Sequence, residues 1–278
     1  MDSQTSSAAE EMRAAEGLPQ ADASDLVDSE RLEDAVKDMY RHVAREEDSE
    51  LHFEVGRPLA ERLGYPPHTL DRVPAEAIAS FAGVGYHLDL AELRPGEAVL
   101  DLGCGSGTDV FCAAVMVGEQ GRVVGVDFTD QQLAKAERLR ERDGFEGVEF
   151  VEASIAELPF EDGRFDAVIS NGVINLSPIK HVVFSEAARV LRPGGRLALA
   201  DIVSDRPLKE RTRRNIDLWA ACVAGAIPRA SYAKAIETVG LEVGPMRRND
   251  YEFTSDRALE ACSTYDIESV SLVARRPA

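Results

Sequence analysis

Neither a long apolar run nor a surplus of positive charge occurs in these 278 residues. Without a stretch of eighteen or more apolar residues, a membrane-spanning helix is excluded. The N-terminus is polar and acidic and lacks the apolar core of a secretory signal, so no leader is expected. The four cysteines, Cys104, Cys112, Cys222 and Cys262, form no C-x-x-C pair and no zinc spacing. Reduced thiols in a cytoplasmic protein, and no metal site, are therefore the expectation. The formal net charge is −19, which argues against nucleic acid as a partner because phosphates call for a basic surface. Residues 1–50 hold fifteen acidic and five basic side chains, so about half of the excess belongs to the leading segment. Lysine is scarce, five against 26 arginines. An acidic, lysine-poor surface suits a salt-rich cytoplasm, although a GC-rich genome gives the same arginine bias.

What is present is a nucleotide-binding pattern. The apolar run Ala98-Val-Leu100 reads as a buried strand, and Val110-Phe-Cys-Ala-Ala-Val-Met116 reads as a buried helix. Between them stands Asp101-Leu-Gly-Cys-Gly-Ser-Gly-Thr108, a turn in which Gly103, Gly105 and Gly107 permit close backbone approach to a ligand. A second strand, Gly121–Val126, ends in Asp127, 22 residues beyond Gly105. A carboxylate there can take both hydroxyls of a ribose, or simply cap the helix that follows. Strand, turn and acid together predict an adenosine-containing cofactor. A dinucleotide turn runs G-x-G-x-x-G and seats a pyrophosphate; here the third glycine is misplaced and the corresponding position is Thr108. Asp101 and Asp109 flank the turn, which disfavours pyrophosphate and suits the ammonium of an amino acid and a sulfonium.

Alternating strands and helices predict an α/β fold with a doubly wound, mostly parallel, seven-stranded sheet and a helical N-terminal extension. Strands are expected at 97–101, 122–126, 148–151, 165–170, 195–201, 241–253 and 267–275, the last two as an antiparallel pair. Helices are expected at 109–117, 129–143, 179–191, 208–225 and 230–238. Residues 1–28 read as a disordered acidic tail, 29–92 as a helical lid and connector, and 93–278 as the catalytic domain. In the lid, Leu32, Val36, Met39, Tyr40 and Val43 share one helical face behind a possible Ser29 cap. Further helices are expected near 55–63 and 74–82, with Gly83-Val-Gly85 as a hinge.

The glycine-rich turn, the strand ending in Asp127, the run Phe165–Asn171 and Leu191-Arg-Pro-Gly-Gly-Arg196 together resemble class I S-adenosylmethionine-dependent methyltransferases, with a Rossmann-like fold. The resemblance implies that Asp101, Gly103 and Gly105 shape the methionine pocket, Asp127 holds the ribose and Phe128 packs on the adenine. It further implies that Ser154 and Ile155 read the adenine edge and that Asn171 lies beneath the methionine moiety. Ser154 reads equally as an ordinary turn residue. Asp166 is expected to fix the start of its strand, and His87 and His181 are weak candidates for a general base, so no catalytic residue is assigned.

A narrower resemblance, to the arsenite methyltransferases, rests on Ser80-Phe-Ala-Gly-Val-Gly85, Gly125–Gln132, Ile169–Ser177 and Leu218-Trp-Ala-Ala-Cys-Val-Ala-Gly225. That family holds trivalent arsenic with cysteine thiolates; two of the expected positions are Val84 and Gly172 here, and Cys222 alone remains. The resemblance implies methyl transfer to a small molecule, with Val84, Gly172, Trp219 and Cys222 bounding the acceptor pocket. An arsenite or metalloid acceptor with a reduced thiol site is one alternative. A cofactor-binding sensor or partner protein without activity is another.

Overall fold

Val99, Leu100 and Leu102 have no exposed surface, as strands covered on both faces require. The computed structural model describes residues 22–45, 54–220 and 222–278. Strands β1 (Ala98–Leu102), β2 (Arg122–Asp127), β3 (Val148–Glu152), β4 (Phe165–Asn171) and β5 (Leu191–Val203) pair in parallel in the order β3-β2-β1-β4-β5. Three further strands, β6 (Glu242–Val243), β7 (Arg247–Arg248) and β8 (Glu268–Arg275), finish the sheet, with β8 antiparallel to β5 and both short strands antiparallel to β8. The mostly parallel, doubly wound architecture is as expected. The sheet has eight strands rather than seven because the run expected over 241–253 is broken at Gly244-Pro245, where proline has no N–H to add to a ladder.

Helices Thr108–Val117 and Asp130–Asp143 pack on one face, and Lys180–Val190 and Arg229–Thr238 on the other. Their fully buried members, such as Phe111, Leu139, Val183 and Phe184, each contribute about 2 kcal/mol of apolar transfer free energy. The helix expected over 208–225 is two short turns, Glu210–Arg213 and Ile216–Ala220. The chain leaves the helical region before Cys222, which sits at φ +60. A helix at Asp256–Tyr265, absent from the sequence reading, is capped by Ser255, whose hydroxyl accepts from the Ala258 N–H.

The N-terminal part is more closely tied to this core than its composition suggests. Of the tail expected over 1–28, residues 1–21 lie outside the described residues. Asp22 forms a bridge to Ile179, and Ala23 and Val27 are buried, because the small apolar positions between the acids find a partner in Trp219 and its neighbours. The helix Ser29–Arg45 buries Leu32 and Val36. Tyr40 and Val43 fall in this helix, but their side chains lie outside the described residues. Its cap is Asp28 rather than Ser29, since the Asp28 carboxylate accepts from the Arg31 N–H at 3.2 Å. The helices expected near 55–63 and 74–82 are Arg57–Leu63 and Ala75–Ala79. Gly83-Val-Gly85 is no free hinge. Asn171 Oδ1 accepts from the Val84 and Gly85 N–H groups at 2.8 and 3.3 Å, and Ser269 donates to the Val84 carbonyl at 2.6 Å.

Candidate active site

The carboxyl ends of β1, β2 and β4 stand level, with Leu102 paired to Val126 on one side and Ser170 on the other. Loops leaving a parallel sheet at such a point open a crevice. A cavity of about 90 Å³ occupies it. Six of the residues picked from the sequence line this cavity: Asp101, Gly103, Gly105, Asp127, Phe128 and Asn171. A second cavity of about 180 Å³ adjoins the first, sharing Val36, Phe128, Val173 and Leu176, and is lined by the remaining two, Ser154 and Ile155.

Asp127 is the hinge of the glycine turn. One carboxylate oxygen accepts from the Gly105 N–H at 2.9 Å and the other from the Thr129 N–H at 2.8 Å. The side chain therefore ties the glycine turn to the start of the next helix, whose cap position is Thr129, while it lines the cavity. Burial pushes its pKa up, and the backbone donors Thr129 and Gly105 oppose that rise. Asp101 is also buried, lines the cavity and carries no side-chain hydrogen bond among the described residues. Burial, and then the charges of Asp109 and Asp127, hold its carboxyl well above the ordinary carboxylate range. A cation placed in the cavity would reverse that shift.

The two inner glycines of the turn serve different ends. Gly103 has φ +69, and a Cβ there would collide with Val173. Gly105 has φ +52, and a Cβ there would meet no atom closer than 4.0 Å, so it would stand in the cavity itself. Gly105 thus keeps space for a ligand, whereas Gly103 keeps space for the turn after β4.

Asn171 lines the cavity, but its amide belongs to the connector. Besides accepting from Val84 and Gly85, its Nδ2 donates to the Tyr65 hydroxyl, the Gly85 carbonyl and Asp109, each at 3.0 Å. Tyr65 in turn donates to Asp109 at 2.5 Å, and burial with that neighbouring charge raises the phenol well above its usual range. Ser154 is exposed and its hydroxyl accepts from the Ala156 N–H at 3.2 Å, so it is a turn residue at the rim of the second cavity. Phe128 has Lys37 of the N-terminal helix 5.1 Å from its ring centroid.

Val84, Gly172 and Cys222 do come together: the Cys222 thiol donates to the Gly172 carbonyl at 3.8 Å, and a Cβ on Gly172 would lie 3.2 Å from Val84. They are buried against one another and line neither cavity. Trp219 belongs elsewhere, packed among Ala23, Val27, Leu32 and Val36 with its indole N–H donating to the Arg213 carbonyl. The expected pocket bounded by these four residues is therefore a packed region, because the N-terminal segment fills the space beside Trp219.

His87 is fully buried with neither ring nitrogen partnered, and burial lowers its pKa; it lines neither cavity, and nor does His181. Asp166 accepts from the Ala98 N–H at 2.8 Å and so fixes the start of two strands, as expected. The sequence reading missed the connector's share of the wall, Ser80–Gly83, and Val36 overhead. A signal existed in the Ser80–Gly85 run, but only tertiary packing shows that it faces the cavity. Among the described residues there is no group of three or more His, Cys, Asp or Glu able to hold a metal ion. No helix among them is long and apolar enough to cross a membrane. All four cysteines are outside any disulfide.

The family described as a methyltransferase domain matches residues 93–257. The arsenite methyltransferase of Halobacterium salinarum is 38% identical over 221 residues, covering 79% of this chain and 56% of that protein. The arsenite methyltransferase of Homo sapiens is 37% identical over 184 residues, covering 63% and 48%. The chain spans about half the length of the curated relatives it matches. Among solved structures, an arsenic (III) S-adenosylmethionine methyltransferase from Chlamydomonas reinhardtii superposes with a TM-score of 0.65 at 34% identity, covering 77% of this chain and 74% of that one. A geranyl diphosphate C-methyltransferase from Streptomyces coelicolor, 18% identical with a TM-score of 0.60 over 87% of this chain and 97% of that one, shares the fold.

Proposed function

The chain belongs to the methyltransferase domain family and resembles the arsenite methyltransferases within it, and from that premise we propose that it transfers a methyl group from S-adenosylmethionine to a small-molecule acceptor. The observation that carries the reading is the joined pair of cavities, lined by all eight residues assigned to the cofactor from sequence. S-Adenosylmethionine supplies an electrophilic methyl group on a sulfonium. The chain's own contribution is to hold, orient and exclude water. Asp127 takes the ribose hydroxyls with the lone pairs its backbone donors leave open. Asp101, buried without a partner, takes the ammonium. Gly105 leaves room for the ligand, and Phe128 and Ile155 enclose the base. The helix Ser29–Arg45 roofs both cavities through Val36 and serves as the lid.

The acceptor is proposed to be organic. What supports this is the apolar, closely packed set Val84, Gly172 and Cys222, in which a single thiol cannot supply the two or three sulfur ligands a soft metalloid requires. Gly172 has φ +73, a conformation that side chains rarely adopt, which disfavours a cysteine at that position. A second reading, a metalloid acceptor presented as a thiol conjugate, is favoured by the name of the curated relatives and by the thiol retained at Cys222. Cysteines free of disulfides fit a cytoplasmic setting.

The test is calorimetric titration of the full chain with S-adenosylmethionine and S-adenosylhomocysteine, with NAD as control. Micromolar binding of the sulfur nucleosides is expected, followed by an acceptor screen that includes arsenite with thiols. Tighter binding of NAD, or no binding of either sulfur nucleoside, overturns the reading.

A further inference from the structure

Away from the cavities, a lysine and an aspartate lie fully inside the protein with no role in the chemistry above. Lys180, the first residue of the helix Lys180–Val190, is 1% exposed, and Asp201 on β5 is equally buried. Burying a charge is costly unless it is well partnered, so their contacts are informative. Lys180 Nζ donates to the Asn175 carbonyl at 2.9 Å and to the Ser177 carbonyl at 2.8 Å. Asp201 accepts from the Asn175 N–H at 2.8 Å, from the Tyr232 hydroxyl at 2.7 Å and from the Ile202 N–H at 2.8 Å. The two opposite charges therefore grip the same residue, one at each end of its backbone. The Asn175 side chain then reaches across to donate to the Cys222 carbonyl, just where the chain turns through φ +60.

Asn175 sits in the turn that follows β4. Its neighbours Val173 and Leu176 line both cavities, and Gly172 touches Val84 and Cys222. We propose that Lys180 and Asp201 are positioning residues, a charged clamp on Asn175 that sets the turn 172–177 and thereby couples the cofactor cavity to the Cys222 segment. This rests on the methyltransferase reading for what the cavity binds, though not for the clamp itself.

The pair also makes the clamp sensitive to pH. Burial lowers Lys180 to about 7, with the Asp201 charge opposing the shift, the Arg213 guanidinium adding to it and the Cys222 thiol opposing it. Burial raises Asp201 to about 6, opposed by the Tyr232 hydroxyl, the Ile202 and Asn175 N–H groups and Lys180. The groups facing the pair are thus Arg213, held to the Asp22 carbonyl, Cys222 and Tyr232. A lysine whose pKa falls on folding lowers stability while it is charged, and stability rises with pH from about 7 toward 10.5. An aspartate whose pKa rises on folding loses its contribution as pH climbs from 3.8 through about 6. Near neutrality both are held at a cost to stability, which points to placement rather than stabilisation as their use.

The chain carries its own reporter. Trp219 is the single tryptophan, and Lys180 Nζ lies 5.0 Å from its ring centroid. The experiment titrates tryptophan emission of the full chain from pH 5.5 to 9 for wild type, Lys180→Met and Asp201→Asn. S-Adenosylhomocysteine affinity is measured calorimetrically at both ends of the range. Wild type is expected to show an emission step near pH 7 and a several-fold change in affinity across it. Lys180→Met should lose both while melting at the same temperature or higher at pH 7, and Asp201→Asn should move the step to lower pH. A flat wild-type titration overturns the clamp, as does a step that survives in Lys180→Met. Affinity that follows the same pH course in wild type and Lys180→Met overturns the coupling to the cavity. Absence of S-adenosylhomocysteine binding in wild type, with the emission step present and lost in Lys180→Met, overturns the cofactor reading and supports the clamp. Should Lys180→Met fail to fold, Asp201→Asn decides, since an unmoved step in that variant also overturns the clamp.

Discussion

The cofactor end of the cleft and the region expected to hold the acceptor are built from opposite materials. At the cofactor end, Asp101 and Asp127 face a cavity and glycine withholds a side chain so that the space stays open. At the acceptor end, Val84, Gly172 and Cys222 close upon one another, and Trp219 is sealed beneath the N-terminal segment. One region keeps two buried carboxyl groups at the wall of an open space. The other is filled by packing. A binding site can be ready before its ligand arrives, whereas a site that must exclude water during transfer gains by forming late.

This contrast can be broken most decisively at Asp127. Asp127→Ala removes the acceptor of two backbone N–H groups and the proposed partner of the ribose, and should weaken S-adenosylhomocysteine binding by about 100-fold, about 2.7 kcal/mol. Calorimetry reads it directly, and a loss under fivefold would falsify the ribose assignment. The two glycines sharpen the comparison. Gly103→Ala meets Val173 from a left-handed backbone and should cost about 2–4 kcal/mol of stability in chemical denaturation. Gly105→Ala should cost only about 1 kcal/mol of stability while lowering ligand affinity about tenfold or more, because its methyl occupies the cavity. Equal effects of the two substitutions on binding would erase the distinction drawn between them.

A gentler probe is pH. Burial and two neighbouring carboxylates raise Asp101, so ionising it lowers the stability of the free protein as pH rises through its folded pKa. A bound ammonium favours the ionised form, so ligand binding should release protons and tighten with increasing pH. Calorimetry in buffers of different ionisation enthalpy measures that release, and proton uptake instead would contradict the role given to Asp101. The smallest effect is expected at the acceptor end. Cys222→Ala should leave S-adenosylhomocysteine affinity within about twofold, a shift under about 0.5 kcal/mol. It should also spare methylation of an organic acceptor; loss of all transfer in this variant would favour the metalloid reading.

Much of the cofactor end was legible before any coordinates because its determinants are local. β1, the glycine turn and the following helix are contiguous, and Asp127 is one strand and one turn away. Spacing alone could not choose between helix cap and ligand contact for it; in the structure its two oxygens hold the Gly105 and Thr129 N–H groups, and Thr129 takes the cap position. Elsewhere local signals misled. Leu241–Phe253 has strand-like composition, yet Pro245 divides it. The 208–225 run has helical periodicity, yet the chain is drawn into the Cys222 turn, where Asn175 holds its carbonyl. Gly83–Gly85 reads as a hinge until Asn171, nearly ninety positions later, is seen to bind it.

Hydrophobic alternation, turn glycines and the two acids therefore sufficed for the α/β class, the parallel core and residues that line the two cavities. Each depends on backbone conformation or burial that a few consecutive residues dictate on their own. Which wall Asn171 and Trp219 would serve, whether the acceptor region would stand open, and what Lys180 and Asp201 would hold were decided only when distant segments met. Contacts such as Asn171 with Val84, or Lys180 with Trp219, join segments that no local propensity relates, and their geometry exists only once the sheet has brought them together.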